Sequence, residues 1–247
     1  MKIIKLLVIT FIISISSIEY SSARDNDLPK WCKADAPTKI NILPGTDNIK
    51  YDHSLNVMQL SSKHTDTDSP YDNSVVQHTL GLMSGSIGLS AKSEIGFIRK
   101  GKKQCLYFKE IQVNIHVSPT IYIANDYKRN GCMYKEIKEH ELKHVKVDRK
   151  VINKYSNKVG HKILEIIDEM PVVGVIHKKD SEIAAERMRN YVKEKILYIN
   201  NQMLDERKRR QNMVDSLEEY QRLEDDNLCP EEREEVAEQQ KHRHRHR

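Results

Sequence analysis

The stretch His140-Glu141-Leu142-Lys143-His144 decides how this chain is read. Its histidines are four residues apart, so on a helix they lie one turn apart on one face and both imidazoles can reach a single metal ion. The glutamate after the first histidine points into the same cleft, where it can take a proton from a metal-activated water. No other segment offers chemistry as specific: the chain lacks a Walker loop, a dinucleotide fingerprint and a G-x-S-x-G elbow.

Working outward, residues 133–159 are amphipathic at about 100° per residue. One face carries Met133, Tyr134, Ile137, His140, Glu141, His144, Val147, Asp148, Val151, Ile152, Tyr155 and Val159; the other carries Lys135, Lys138, Glu139, Lys143, Lys146, Arg149, Lys150, Asn153 and Ser156. The motif therefore lies in the stripe that should be buried, where polar groups need partners. A metal is the simplest partner for the set. The bland reading is a pair of histidines satisfied by hydrogen bonds in a core.

Asp148 continues the row from His140 and His144, but about 6 Å farther along the axis. That distance suits a role behind a ligand, orienting a histidine through its free ring nitrogen. Gly160 is expected to end the helix, with a second short helix from His161 to Met170 before Pro171. An antiparallel return would bring its polar row back to the histidine pair. Glu165 is the preferred third metal ligand, at a distance downstream similar to that of the glutamate ligand in thermolysin-like gluzincins. His161 and Glu169 are the alternatives, and a solvated surface face is the plain reading of all three. The metzincin extension is absent, because Val147 and Lys150 stand where its glycine and third histidine belong.

The N-terminus reads as a signal peptide over 1–23. Lys2 and Lys5 precede an apolar run from Leu6 to Ile18, and Ser21-Ser22-Ala23 places cleavage after Ala23. No later segment approaches the roughly 20 apolar residues of a membrane span. The expected location is therefore secreted or periplasmic. Four cysteines agree with an oxidising compartment and allow three disulfide connectivities. Cys105–Cys132 is preferred as the more local pair, leaving Cys32–Cys229 to tie the chain ends.

Net charge is +5 and aromatic content 6%. Much of the positive charge sits in the terminal KHRHRHR, and no basic stripe is interleaved with aromatics, so nucleic-acid binding is not indicated. Strands are expected at 38–43, 54–60, more weakly 75–83, most strongly 106–118, and at 120–124, with a turn-rich loop at 66–72. Ser181 to Val214 is a long charged helix with a narrow apolar row at Met188, Val192, Ile196, Ile199 and Met203, suited to support or self-association. Ser216 to Glu219 has capping-box spacing and starts another short helix. The expected class is α+β: a small, mostly antiparallel sheet on the H-E-x-x-H helix. The catalytic domain spans 24–177, a helical extension 178–230, and a disordered His/Arg tail 231–247.

From about Tyr51 to Tyr155 the chain resembles an uncharacterised bacterial family described as predicted secreted zinc-dependent proteases. Tyr51-Asp52 precedes Leu60, and Cys105 leads a valine/isoleucine strand through Val117. Thr120-Ile121-Tyr122-Ile123-Ala124, Cys132 and the H-E-x-x-H block follow in that order. The resemblance implies a zincin-like fold, a Zn2+ cofactor and hydrolysis of a peptide or protein substrate, with Glu141 as general base. The rival expectations are a non-enzymatic exported protein with a structural metal or none, and a peptidase acting on peptidoglycan.

Overall fold

A computed structural model describes residues 28–34, 36–63, 78–225 and 227–245, with side chains described to residue 238. The expected signal peptide, its cleavage point after Ala23 and the loop at 66–72 lie outside these residues.

The chain is α+β, with two small mixed sheets and a long helix. The larger sheet is built on β5 (Lys103–Val117), flanked by β1 (Lys39–Thr46) in parallel and β4 (Ile87–Lys100) antiparallel. Near its start β5 also takes β7 (Val173–His177), antiparallel. Ile111, Val113, Ile115 and Val117 point inward and are fully buried, as the alternation predicts. Upstream the inward residues are Leu106 and Phe108, of opposite parity. A bulge between Glu94 and Ile95 of β4 skips Lys109 and accounts for the switch, since one extra residue reverses the face of every side chain beyond it. The smaller sheet orders β2 (Lys50–Asp52), β6 (Thr120–Ile123) and β3 (Gly81–Ser84). Residues 54–60, expected as a strand, instead hold helix α1 (Val57–Ser61). Asn56 and Gln59 form a full capping box there, and that local hydrogen bonding overrides the alternation.

Helix α2 runs unbroken from Cys132 to Glu169, 38 residues and about 57 Å. Gly160 does not end it. A Cβ there would stand 3.1 Å from Ile42 Cδ1, so the glycine serves close packing of α2 on β1. The first part of α2 packs Met133, Tyr134, Ile137 and Val145 with the small sheet and α1. The later part packs Val151, Ile152, Tyr155, Val159, Ile163 and Ile166 into the main core. The histidine motif falls where these two cores meet.

Helix α3 (Ser181–Val214) returns antiparallel along α2. The row Met188, Val192, Ile196, Ile199 and Met203, expected to serve support or self-association, is buried in the same core as β5. The segment after 178 is thus integral to the fold rather than an appendage. After α4 (Leu217–Glu224), capped by Ser216 as expected, comes α5 (Pro230–Arg245), helical where a disordered tail was expected. Glu232 explains part of its placement. Its carboxylate accepts from the backbone N–H groups of Cys132 (2.7 Å) and Met133 (2.9 Å), an anion on the positive end of α2.

The disulfides are Cys32–Cys105 and Cys132–Cys229, correcting the expected Cys105–Cys132 and Cys32–Cys229. Sequence proximity misleads here. Cys105 opens β5 and Cys132 follows its far end, so the strand itself separates them by about 40 Å. Peptide mapping without reduction is expected to recover the 32–105 and 132–229 peptides as linked pairs; recovery of a 105–132 link would overturn this arrangement.

Candidate metal centre

One helical turn of α2 brings His140 Nε2 and His144 Nε2 to 3.3 Å from each other. The third donor is Asp215, the residue that closes α3. Its Oδ1 lies 3.3 Å from His140 Nε2 and 3.0 Å from His144 Nε2. Tetrahedral zinc with bonds of about 2.0–2.1 Å separates its ligand atoms by about 3.3 Å. The three atoms therefore stand at the spacing of three corners of such a tetrahedron. His140, His144 and Asp215 are only 5–6% exposed, so each donor is shielded from water and needs a partner. Among the described residues, this is the group of histidine, cysteine and acidic side chains close enough to hold a metal ion.

The expected third ligands are elsewhere. Because α2 continues straight, Glu165 lies 21 residues beyond His144, about 31 Å along the rod. It is exposed and pairs with Lys162. Glu169 accepts a hydrogen bond from Tyr191 Oη at 2.6 Å, and His161 is exposed. No antiparallel return exists to bring any of them back.

Each histidine is held from behind. His144 Nδ1 lies 2.5 Å from Gln211 Oε1, and His140 Nδ1 lies 3.3 Å from Glu219 Oε1. Both oxygens only accept, so each Nδ1 carries the hydrogen and each Nε2 faces the centre. The orientation of the Gln211 amide is fixed in turn, because its nitrogen donates to Asp148 Oδ1 at 2.7 Å. Asp148 was expected to orient a histidine directly. It acts one step further back, through Gln211.

The electrostatics follow from burial and these partners. Burial pulls the His144 pKa down, but its hydrogen bond to Asp215 and the charges of Glu141 and Asp215 outweigh this and lift it to about 9. For Asp215 burial acts upward, yet the two histidines hold its carboxyl well below the usual range. Glu219 is likewise opposed by burial, and Arg222, Lys143 and His140 bring it down to about 2. Glu141 goes the other way. It is buried, burial pushes its carboxyl up, and the attraction of the two histidines does not cancel that. Its neighbours are the backbone of Met83 and Gly81, where an added Cβ would meet Glu141 Oε1 at 2.8 Å.

Asp215, Gln211 and Glu219 were missed from sequence. A signal for two of them exists: the buried row of α3 continues from Met203 at four-residue steps to Arg207, Gln211 and Asp215. Nothing local marks Glu219. Comparison of the chain with family profiles, with curated proteins and with solved structures finds no match, so function has to be argued from the site itself.

The three donors could hold one metal ion, and zinc is the ion we propose for them. Asp215→Ala should lose it on dialysis while Glu165→Ala keeps it, and Gln211→Leu should weaken binding about 10–100-fold. Elemental analysis and titration of the purified protein decide this, and full zinc occupancy in Asp215→Ala would eliminate Asp215 as a ligand.

Proposed function

We propose that the chain is an exported zinc-dependent hydrolase of peptide bonds. The observation that carries the reading is the pairing of three convergent donors, His140, His144 and Asp215, with a buried carboxylate of raised pKa, Glu141, on the same helical turn. Structural zinc sites enclose the ion with four protein ligands, whereas catalytic ones use three and leave a position for water or substrate. Zinc held here would supply Lewis acidity, polarising a carbonyl and acidifying a water. Glu141 takes the proton of the attacking water and passes it to the leaving amine, a role that suits a carboxyl whose affinity for a proton burial has raised. Gln211 and Glu219 hold the rings in place, so little reorganisation is left to the reaction. β3 is the outer strand of its sheet and lies against Glu141, a position from which an extended peptide can be aligned. Two disulfides are compatible with an oxidising compartment, and no described helix is long and apolar enough to cross a membrane.

A purely structural metal is the second reading, favoured by the low exposure of the donors. The cover is α4. Glu219 pairs with Lys143 at 2.6 Å, Arg222 reaches Glu136 at 2.7 Å, and the Tyr220 ring stands edge-on 6.3 Å from His140. These contacts are largely polar, so the hydrolase reading requires α4 to lift as substrate enters. Arg222→Ala, which loosens α4 without touching the donors, is expected to speed zinc loss to a chelator and to raise turnover of a denatured-protein substrate. Glu141→Gln should retain zinc while turnover falls about 10²–10⁴-fold. Undiminished hydrolysis in Glu141→Gln would remove Glu141 as the base, and no hydrolysis in wild type and Arg222→Ala alike would falsify the reading in favour of a structural ion.

A further inference from the structure

Behind the donors lies a buried ion pair that the proposed chemistry does not use. Arg207 Nε donates to Asp148 Oδ1 at 2.8 Å, and Arg207 Nη2 reaches Asp148 Oδ2 at 3.2 Å. Asp148 is fully buried and Arg207 is 9% exposed. A buried pair of this kind gives weak grounds for stability, since well-packed apolar residues of similar volume often serve as well or better. Its connections suggest another use. On one side, Asp148 Oδ1 also accepts from Gln211, whose amide oxygen meets His144 Nδ1. On the other, Arg207 Nη2 donates to the carbonyl of Gly85 at 2.7 Å. Gly85 directly follows β3, the strand whose Met83 backbone hydrogen-bonds the Glu141 carboxylate and whose Gly81 lies against it.

Resting on the hydrolase reading, we infer that Arg207 is a positioning residue that fixes both halves of the centre, His144 through Asp148 and Gln211, and Glu141 through Gly85 and β3. A guanidinium suits this task because one rigid planar fork engages a carboxylate in two bonds and still presents a donor to a third acceptor. An ammonium is a point charge and does not hold that geometry. The arrangement also binds three separate elements, α2, α3 and the β3–β4 turn, at one atom cluster, so displacement of any one is felt at the ring nitrogen and at the base together.

Removing Arg207 alone strands a buried charge and unfolding is the expected result. The decisive variant is therefore the double Arg207→Met/Asp148→Leu, which removes both charges at similar volume. It should fold with a Tm near wild type, yet bind zinc about 10–100-fold more weakly. In the metal-free protein the proton on His144 Nδ1, protected from exchange by Gln211, should lose that protection by NMR. Cobalt in place of zinc should give a visible spectrum differing from wild type. Arg207→Lys, which keeps the charge and loses the fork, should move the same readouts in the same direction, and it decides the matter if the double variant does not fold. A folded double variant, or Arg207→Lys, with wild-type zinc affinity and unchanged His144 protection would overturn the inference alone. A wild-type chain that binds no zinc removes the hydrolase reading, and the His144 proton in metal-free protein still decides whether Arg207 positions that ring.

Discussion

Where α3 runs back along α2, its buried row passes from Met188, Val192, Ile196, Ile199 and Met203 to Arg207, Gln211 and Asp215. The helical period is unchanged while the chemistry of the row is exchanged. The apolar stretch sets the antiparallel register against Val151, Tyr155, Val159 and Ile163, and so determines where the polar stretch lands. It lands on Asp148, His144 and His140. Polar groups in such a seam are costly unless each finds a partner. Here Arg207 meets Asp148, Gln211 meets both Asp148 and His144, and Asp215 meets both histidines. One packing interaction therefore carries the site, because a shift of α3 by one turn would separate every one of these pairs.

The parts of the fold readable in the sequence are those with uniform periodicity. β5 from Ile111 to Val117 and β6 follow their alternation, and the bounds of α3 follow its charge and spacing. The motif helix was legible as well, including the burial of His140, Glu141, His144 and Asp148. What was not legible depended on contacts distant in the chain. Gly160 carries the same local signal whether it caps a helix or admits Ile42 of β1, and only the sheet distinguishes the two. β4 was hidden because glycine and serine dilute its alternation, although its pairing with β5 runs nearly its whole length. Residues 54–60 alternate like a strand, and the reciprocal hydrogen bonds of Asn56 and Gln59 decide otherwise.

The third donor of the group that could hold a metal was lost for the same reason. A search that stays near the motif finds acids on the same rod, and a straight helix carries those away at about 1.5 Å per residue. Only an element that returns can supply a donor, and the returning element is α3. The cysteines obey the same geometry. Cys132 pairs with Cys229 because α5 comes back to the start of α2, where Glu232 also caps the helix. α4 is thus held between two fixed points: Asp215, committed to the histidines, and Cys229, committed to Cys132. The cover over the centre is short, polar in its contacts and anchored at both ends.

That placement makes the centre conditional on the fold. His140 and His144 share one turn, so a nascent α2 alone could present two imidazoles to an ion. Asp215 joins them only after α3 has packed along its full length, and Gln211 fixes its ring only after Asp148 is paired. An ion bound by all three donors consequently binds the folded chain far better than the unfolded one, and stabilises it by mass action in proportion to that difference. The stabilisation falls on the α2–α3 seam at its polar end. The seam aligns the donors, and an ion in their midst would secure the stretch where the residues that α3 turns toward α2 are polar, Arg207, Gln211 and Asp215.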